Sequence, residues 1–241
     1  PGEGRTAVWN AGADWPEHEA ATAVPRITAW ATNAPPRYCA VDLTTLWSYY
    51  STSSGSRPIY YYTSAETVPG GVTNMLYKTN VLLLRRIDPT PAEGFLMFSQ
   101  INEAGRLYTD WQRRTWLTKP YYIGVYEVTQ GQWRHIKGPD DENAWPSYFI
   151  KNDYRLTRPV EQVSYYLVRE SDENTNNPDV DWPQNSIAGG FIGRLRGRTG
   201  NPNFDLPTEA QWEYACRAGT VGALNDGTMN IKTTGPDPNL E

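Results

Sequence analysis

Cysteine and histidine are scarce in this chain of 241 residues, which has two of each. Cys39 and Cys216 cannot form a disulfide framework, and their positions fit neither a CxxC redox motif nor a zinc site. His18 and His135 are too few for a centre that needs three histidines. The residue types therefore predict no catalytic, cofactor-binding or metal-binding residue among these positions.

Long apolar runs and clusters of basic residues are also missing. The longest aliphatic run, residues 81–84, falls far short of the roughly 20 residues that cross a bilayer, so no membrane span is predicted. Lys and Arg total 22 against 27 Asp and Glu, for a net charge of -5. Because no basic patch could neutralise many phosphates, nucleic acid is excluded as a partner.

Aromatic residues, in contrast, are abundant, with 10 Trp, 16 Tyr and 5 Phe. They provide enough large apolar surface for packed cores, and the length allows two domains. A composition rich in Trp, Tyr, Thr and Asn but poor in Lys favours an extracellular or cell-surface protein. The first residue is Pro1 rather than Met, so we expect that an upstream segment has been removed.

The first 88 residues contain short β-branched and aromatic runs bounded by Gly, Pro, Asn and Ser. This pattern predicts an all-β immunoglobulin-like sandwich over residues 1–88. Its candidate strands are residues 6–9, 26–31, 38–43, 57–63 and 76–87. Pro89 and Pro91 stiffen the chain and end the last strand, so a domain boundary is predicted there. Residues 91–241 form the second predicted domain.

Helix signals appear in the second domain. Thr129 and Gln132 have the spacing of a capping box, and a short helix through Trp133 and Ile136 is expected to follow. A second helix, whose apolar residues fall on one side, is expected to follow an N-cap residue and to end at Gly200. The cap is Asn185 or Ser186, the apolar residues are Ile187, Phe191, Ile192 and Leu195, and Arg194, Arg196 and Arg198 are interpreted as a solvated face.

The clearest helix signal begins at Thr208, which forms a second capping box with Gln211. Gly219 is placed to end this helix. Its predicted buried stripe consists of Trp212, Ala215 and Cys216.

Three sequence blocks follow one another over about a hundred residues of the second domain. They are residues 121–133 (YYIGVYEVTQGQW), 158–165 (RPVEQVSY) and 204–220 (FDLPTEAQWEYACRAGT). In this order they resemble formylglycine-generating enzyme domains, also called sulfatase-modifying factor domains. The resemblance runs from Pro91 onward and implies an α+β domain of C-type-lectin-like fold, incomplete at its C-terminus.

The resemblance also implies a chemistry. In that family a copper-binding cysteine pair oxidises a substrate cysteine with oxygen, and the pair lies in the C-terminal half of the domain. The family's calcium ligands, its GNVWEW-like segment and its RGGS segment have no counterparts in these residues. Cys216 matches a position that is a disulfide partner in some members. Phe98 stands where the family's Met-Gly-Ser tripeptide has Gly, and Arg113 and Arg114 stand near the position of an expected His. The resemblance thus implies a divergent member.

Several groups of residues have a structural and a functional interpretation. The acidic and amide-rich residues 172–181 are interpreted as a solvated loop, with a calcium-stabilised loop as the alternative, and residues 140–142 as an acidic turn. A metal site formed by Cys39 and Cys216 is disfavoured, and a buried structural Cys216 is preferred. Three groups of tyrosines can bind carbohydrate or protein, although alternation in strands places some of them in the core. These groups are Tyr60-Tyr61-Tyr62, Tyr121-Tyr122 and Tyr165-Tyr166.

The sequence as a whole predicts an extracellular binding or structural protein that is non-catalytic in this form and uses no cofactor. The alternative is a portion of a formylglycine-generating oxidase that uses copper and oxygen. A domain that lacks its C-terminal part is expected to expose strand edges, which are templates for another chain. The predicted partner is therefore a protein, either further copies in a homo-oligomer or filament or a chain that completes the domain, with carbohydrate as another ligand.

Overall fold

The computed structural model describes residues 34–44, 58–101, 103, 106, 111–151, 153–169 and 189–222. Its strands, in chain order, are β1 (Tyr38–Asp42), β2 (Ile59–Tyr62), β3 (Val81–Ile87), β4 (Phe95–Met97), β5 (Arg113–Thr115) and β6 (Tyr121–Gly124). Four of them form an antiparallel sheet in the order β2–β1–β3–β6, and β4 pairs with β5 in a smaller sheet.

The described helices are α1 (Gln130–Lys137), α2 (Tyr165–Arg169), α3 (Phe191–Thr199) and α4 (Glu209–Arg217). Three 3-10 helices span Ala65–Thr67, Met75–Lys78 and Arg155–Thr157. The mixture of small sheets and short helices confirms the predicted α+β class. Within the described ranges, every helix is too short or too polar to cross a membrane.

Strand β1 lies inside the larger sheet and is buried on both faces. Successive side chains of a strand point to opposite sides, so Cys39 and Val41 face one layer while Ala40 faces the other. On the first side, Leu82 and Leu84 join Cys39 and Val41 against helices α1 and α3. This arrangement explains why the strand reads as a nearly continuous apolar run rather than an alternating one.

The main core lies between the sheet and the two helices. Trp133 of α1 stacks on Phe191 of α3 with ring centroids 4.9 Å apart and an interplanar angle of 5°. Both rings are almost fully buried. Burial of a large apolar side chain contributes roughly 1.5–3 kcal/mol, so this pair and its aliphatic neighbours account for much of the attachment of the helices to the sheet. The other buried members are Leu43, Ile136, Ile192 and Leu195.

The opposite face of the sheet is covered by a 3-10 helix and loops. Tyr77 of Met75–Lys78 is buried against Ala40 and Leu83, and its hydroxyl donates to the Pro69 carbonyl at 2.9 Å. Because helices and loops cover the sheet, the described residues do not confirm an immunoglobulin-like sandwich. The expected strands at residues 6–9 and 26–31 lie outside the described residues.

The larger sheet continues across the predicted boundary at residues 88–91. Ile87 of β3 pairs with Tyr121 of β6, and Leu84 pairs with Gly124. The division into domains 1–88 and 91–241 stays a prediction, but the described residues on its two sides share one sheet and one core. The prolines lie in the connection between strands, and the residues before and after them pack in the same core.

Two helix starts agree with the sequence. Thr129 and Gln132 form the predicted capping box of α1, and Thr208 and Gln211 form that of α4. Helix α4 ends at Arg217, with Ala218 and Gly219 both at positive φ, close to the predicted stop.

The start of α3 was predicted wrongly, although its end at Gly200 is confirmed. Its N-cap is Gly190, in an extended conformation and without a side-chain cap, rather than Asn185 or Ser186. The helix is only nine residues long and is held by burial of Phe191, Ile192 and Leu195. The N-terminus of α3 is therefore determined by burial of its apolar residues and not by a capping side chain.

The arginines of α3 do not form a solvated face, and that prediction was wrong. Arg194 donates to an Asp141 carboxylate oxygen at 2.6 Å, and Arg196 donates to Asp205 at 3.1 Å and to the Phe204 carbonyl at 2.7 Å. Arg198 donates to the Leu43 carbonyl at 3.0 Å. Charge-assisted bonds of this kind are stronger than neutral ones, so α3 is fastened to three neighbouring segments.

Candidate functional site

The two cysteines occupy very different environments. Cys39 is 4% exposed in the core of the sheet, and burial raises the pKa of its thiol to about 12, against a smaller lowering effect of a hydrogen bond with Tyr61. Cys216 lies on α4 and is exposed, so the prediction of a buried structural Cys216 was wrong. Helix α4 packs on β4 instead of the main core, and Phe95 and Tyr214 make the ring contact.

These cysteines do not fit the copper site that the resemblance implies. Such a site needs two thiolates close together, because the thiolate is the form that binds a soft metal. Cys39 keeps its proton at neutral pH and is enclosed by the sheet, whereas Cys216 is on the exposed side of a helix that belongs to another packing unit. In the part of the chain that the structure describes, no three His, Cys, Asp or Glu side chains group as a metal site requires.

The predicted acidic turn at residues 140–142 has a structural task. Asp141 pairs with Lys137 at 3.4 Å and with Arg194 at 2.6 Å, which ties the end of α1 to α3. Burial alone would raise the pKa of Asp141, but the Asn143 N–H and the two positive charges outweigh it and lower the pKa. The predicted calcium alternative, residues 172–181, lies outside the described residues.

A cleft of about 220 Å³ opens beside the start of α1. Lys78 lies over the Tyr126 ring, with its Nζ 4.5 Å from the centroid, and the Thr129 hydroxyl donates to the Lys78 carbonyl at 2.9 Å. The remaining lining residues are Glu127, Thr157 and Pro159. The cleft is large enough for one side chain of a bound polypeptide rather than for a drug-sized ligand.

A stretch of exposed apolar side chains lies next to this cleft along the chain. Within residues 145–158, Tyr148 is 72% exposed and Phe149 is 54% exposed, and their rings make an edge contact with centroids 5.5 Å apart. Ile150, Tyr154 and Leu156 are also exposed. We call the described residues of this segment the 145–158 surface. Contiguous exposed apolar residues of this kind mark interaction sites more often than scattered ones do.

The 145–158 surface is held in place by α1. The Gln130 amide donates to the Phe149 carbonyl at 3.0 Å, and Glu161 accepts the Phe149 N–H at 3.1 Å. Gly131 packs so closely that a Cβ there would lie 2.7 Å from the Leu156 carbonyl oxygen, so only glycine permits this approach. The backbone of the 145–158 surface is therefore fixed by its contacts with helix α1.

Arginine side chains are stacked on the rings of this surface. Arg155 lies over Trp145 with its guanidinium carbon 3.7 Å from the ring centroid, and Arg134 of α1 lies 5.1 Å from the same ring. Arg158 lies 5.9 Å from the centroid of Phe149. In the described ranges, none of these three arginines forms an ion pair with a carboxylate. The surface thus combines apolar area with arginines that form no ion pair among the described residues.

The tyrosine groups singled out in the sequence have mixed outcomes. The hydroxyl of Tyr121 donates to the Gln211 carbonyl at 2.6 Å and that of Tyr122 to the Pro36 carbonyl at 2.7 Å, so both are structural. Tyr60 and Tyr61 on β2, and Tyr165 and Tyr166 on α2, are exposed. Binding by these exposed tyrosines stays a prediction.

Comparison with known proteins agrees with the sequence blocks and the fold. The family description "Sulfatase-modifying factor enzyme 1-like domain" matches residues 93–235, more than half of the chain. The chain belongs to this family. The match covers all three blocks and begins just after the paired prolines, so the resemblance drawn from the sequence is confirmed.

One curated relative of this family member is named chaperone protein LppX, from Paenibacillus barcinonensis. The two are 31% identical over 115 residues, which cover 41% of this chain and 36% of the relative. The chain thus spans little more than a third of the length of that protein. No solved structure matches the chain.

Sequence reasoning missed the 145–158 surface. One signal was available: residues 148–150 are a Tyr-Phe-Ile run in a segment with neither helical nor strand periodicity, bounded by Pro146 and Lys151. A run of three apolar residues is shorter than the roughly four to eight of a buried strand, and apolar residues left exposed outside an element point to function. Which arginines would stack on it depends on long-range packing that the sequence does not display.

Proposed function

We propose that this sulfatase-modifying factor domain is a binding protein that holds an apolar segment of another polypeptide on the 145–158 surface. One observation carries the proposal: Tyr148 and Phe149 project most of their ring area into solvent from a loop that α1 fixes by hydrogen bonds. Rigid aromatic side chains give large contact area at low entropic cost, which is why they anchor protein interfaces.

Two further observations support a binding role. The chain's two cysteines do not fit the oxidase chemistry of the family, for the reasons of burial and position given above. The curated relative carries the name of a chaperone, which agrees with a binding role. We further propose that the protein acts outside the cell or at its surface, as the composition suggests, and that its partner is another protein chain.

The proposal is tested with a fluorescein-labelled peptide in which Phe and Leu alternate with polar residues, followed by anisotropy. Because each exposed ring contributes roughly 1 kcal/mol or more to an interface of this kind, Tyr148→Ser combined with Phe149→Ser should weaken binding at least about tenfold. The matched control is Trp212→Ser combined with Val221→Ser, which removes exposed apolar area from α4 and the loop after it.

Three results would contradict the proposal. The first is the absence of binding of the peptide to the unaltered chain, and the second is an equal loss of binding in both double variants. The third is oxygen consumption on a cysteine-containing peptide with copper added, abolished by Cys216→Ser, which would favour the oxidase alternative.

A further inference from the structure

The 145–158 surface carries positive charge in an acidic protein. Arg155 and Arg158 lie in the segment itself, Lys151 is exposed beside Ile150, and Arg134 reaches the segment from α1. The whole chain has a net charge of -5. Positive side chains therefore gather where the apolar rings are exposed.

Within residues 145–158 one carboxylate, that of Asp153, stands against three basic side chains. Asp153 is exposed on the segment, and Glu161 accepts the Phe149 N–H rather than a guanidinium bond. Outside the segment, Asp141 pairs with Lys137 and Arg194, and Glu142 precedes Trp145. The positive excess therefore belongs to residues 145–158 and to Arg134, which joins them from α1.

The arginines are held by rings instead of carboxylates. The guanidinium carbon of Arg155 lies 3.7 Å from the Trp145 centroid and that of Arg158 lies 5.9 Å from the Phe149 centroid, which are cation–π distances. Nε of Arg155 is buried and has no hydrogen-bond acceptor among the described atoms. Elsewhere in the described part of the chain, arginines such as Arg169 and Arg217 donate to Asp205 and Glu213. The arginines on the 145–158 surface lack that compensation.

From this charge complementarity we infer that the partner segment is acidic as well as apolar: an extended peptide in which Asp or Glu alternates with Phe or Leu. Its apolar side chains would lie on Tyr148 and Phe149, and its carboxylates would accept from Arg158 and Arg134. The inference rests on the proposed function, because it specifies which polypeptides the surface holds.

The experiment compares three labelled peptides with the same Phe and Leu positions and with Glu, Gln or Lys between them. Binding to the full chain is measured by anisotropy at low and at high salt. The Glu peptide should bind at least about tenfold more tightly than the Gln peptide at low salt, and the advantage should shrink as salt screens the charges. The Lys peptide should bind most weakly.

Charge reversal identifies the groups responsible. Arg134→Glu combined with Lys151→Glu changes two exposed side chains, and it should remove the preference for Glu over Gln. Arg85→Glu is the matched control, because Arg85 is exposed on β3 and alternates away from the Leu84 face that packs on α1. Circular dichroism checks that each variant is folded.

The outcomes separate the two proposals. Equal affinity for the Glu and Gln peptides, with loss of both in the Tyr148 and Phe149 double variant, would overturn the inference and leave the binding function standing. Failure of all three peptides to bind would overturn both. Preference for Glu that survives Arg134→Glu with Lys151→Glu and disappears in Arg85→Glu would place the charge recognition elsewhere and also overturn the inference.

Discussion

At the position of Phe98 this chain differs from what the family resemblance leads us to expect. Phe98 has a φ of 70°, in the left-handed region that favours glycine, and it occupies the position where the resemblance leads us to expect Gly. A non-glycine residue there costs on the order of 1–3 kcal/mol. Glu213 accepts the Phe98 N–H at 2.7 Å, and Arg217 donates to the Phe98 carbonyl at 3.0 Å, so an ion pair on α4 holds both backbone groups.

Three side chains should make the protein less stable at alkaline pH. Burial, the largest cause in each case, raises the pKa of Cys39, Tyr121 and Tyr122 to about 12. In the unfolded chain these groups lose their protons near pH 9.0 and 10.0. The unfolded state then binds fewer protons than the folded state, so the free energy of unfolding should fall as pH rises from about 9 towards 12.

Urea unfolding midpoints measured at intervals from pH 8 to 11 check this expectation. Tyr122→Phe removes one of the three groups and should make the decline shallower, whatever its effect at pH 8. A midpoint in the unaltered protein that stays constant over this range would show that these side chains titrate alike in both states.

At the scale of elements, the two helices with identical capping boxes make a natural comparison. Thr129 is buried, accepts the Gln132 N–H at 3.2 Å and donates to the Lys78 carbonyl. Thr208 is exposed, and among the described residues its hydroxyl bonds only within its own helix, to the Gln211 N–H. Thr129→Ala should therefore cost about 2 kcal/mol of stability and Thr208→Ala about 1 kcal/mol. Equal costs in chemical denaturation would mean that the bond to Lys78 contributes nothing net.

The capping boxes also mark what the sequence could reveal about elements. Thr129 and Thr208 begin helices through contacts three residues away, so the short-range pattern was sufficient. The start of α3 depends on how Phe191 packs against Trp133, and the exposure of Cys216 and Trp212 depends on which side of α4 meets β4. Such long-range packing has no signature in a single chain.

At the scale of the whole molecule, the described residues on the two sides of Pro89 and Pro91 have a common core. Cys39 and Trp133 belong to the same buried cluster although nearly a hundred residues separate them. We therefore expect one cooperative unfolding transition for this part of the chain. In a Cys216→Ser variant, alkylation of Cys39 and far-UV circular dichroism should give the same urea midpoint. Two well-separated midpoints would instead support independent domains.

The family, the α+β class and two of the helices were thus accessible from the sequence, whereas the binding surface was not. The blocks that identify the family lie mostly in regular elements, namely β6, α1 and α4. The 145–158 surface depends on Arg134 and Arg155 meeting over Trp145 from different segments. The spacing of residues in the sequence does not predict that these two arginines contact the same ring.

The continuity of the larger sheet through residues 88–91 also limits how the protein can be made in pieces. Prolines at 89 and 91 make this connection an attractive place to divide the chain into two separately expressed halves. Such a split would leave β3 without β6 along one edge and would strip Leu82 and Leu84 of the helix that covers them. Each half would expose an unpaired strand edge that can pair with other copies of the same half. Co-expression of the two halves in one cell is the arrangement under which they could find each other first.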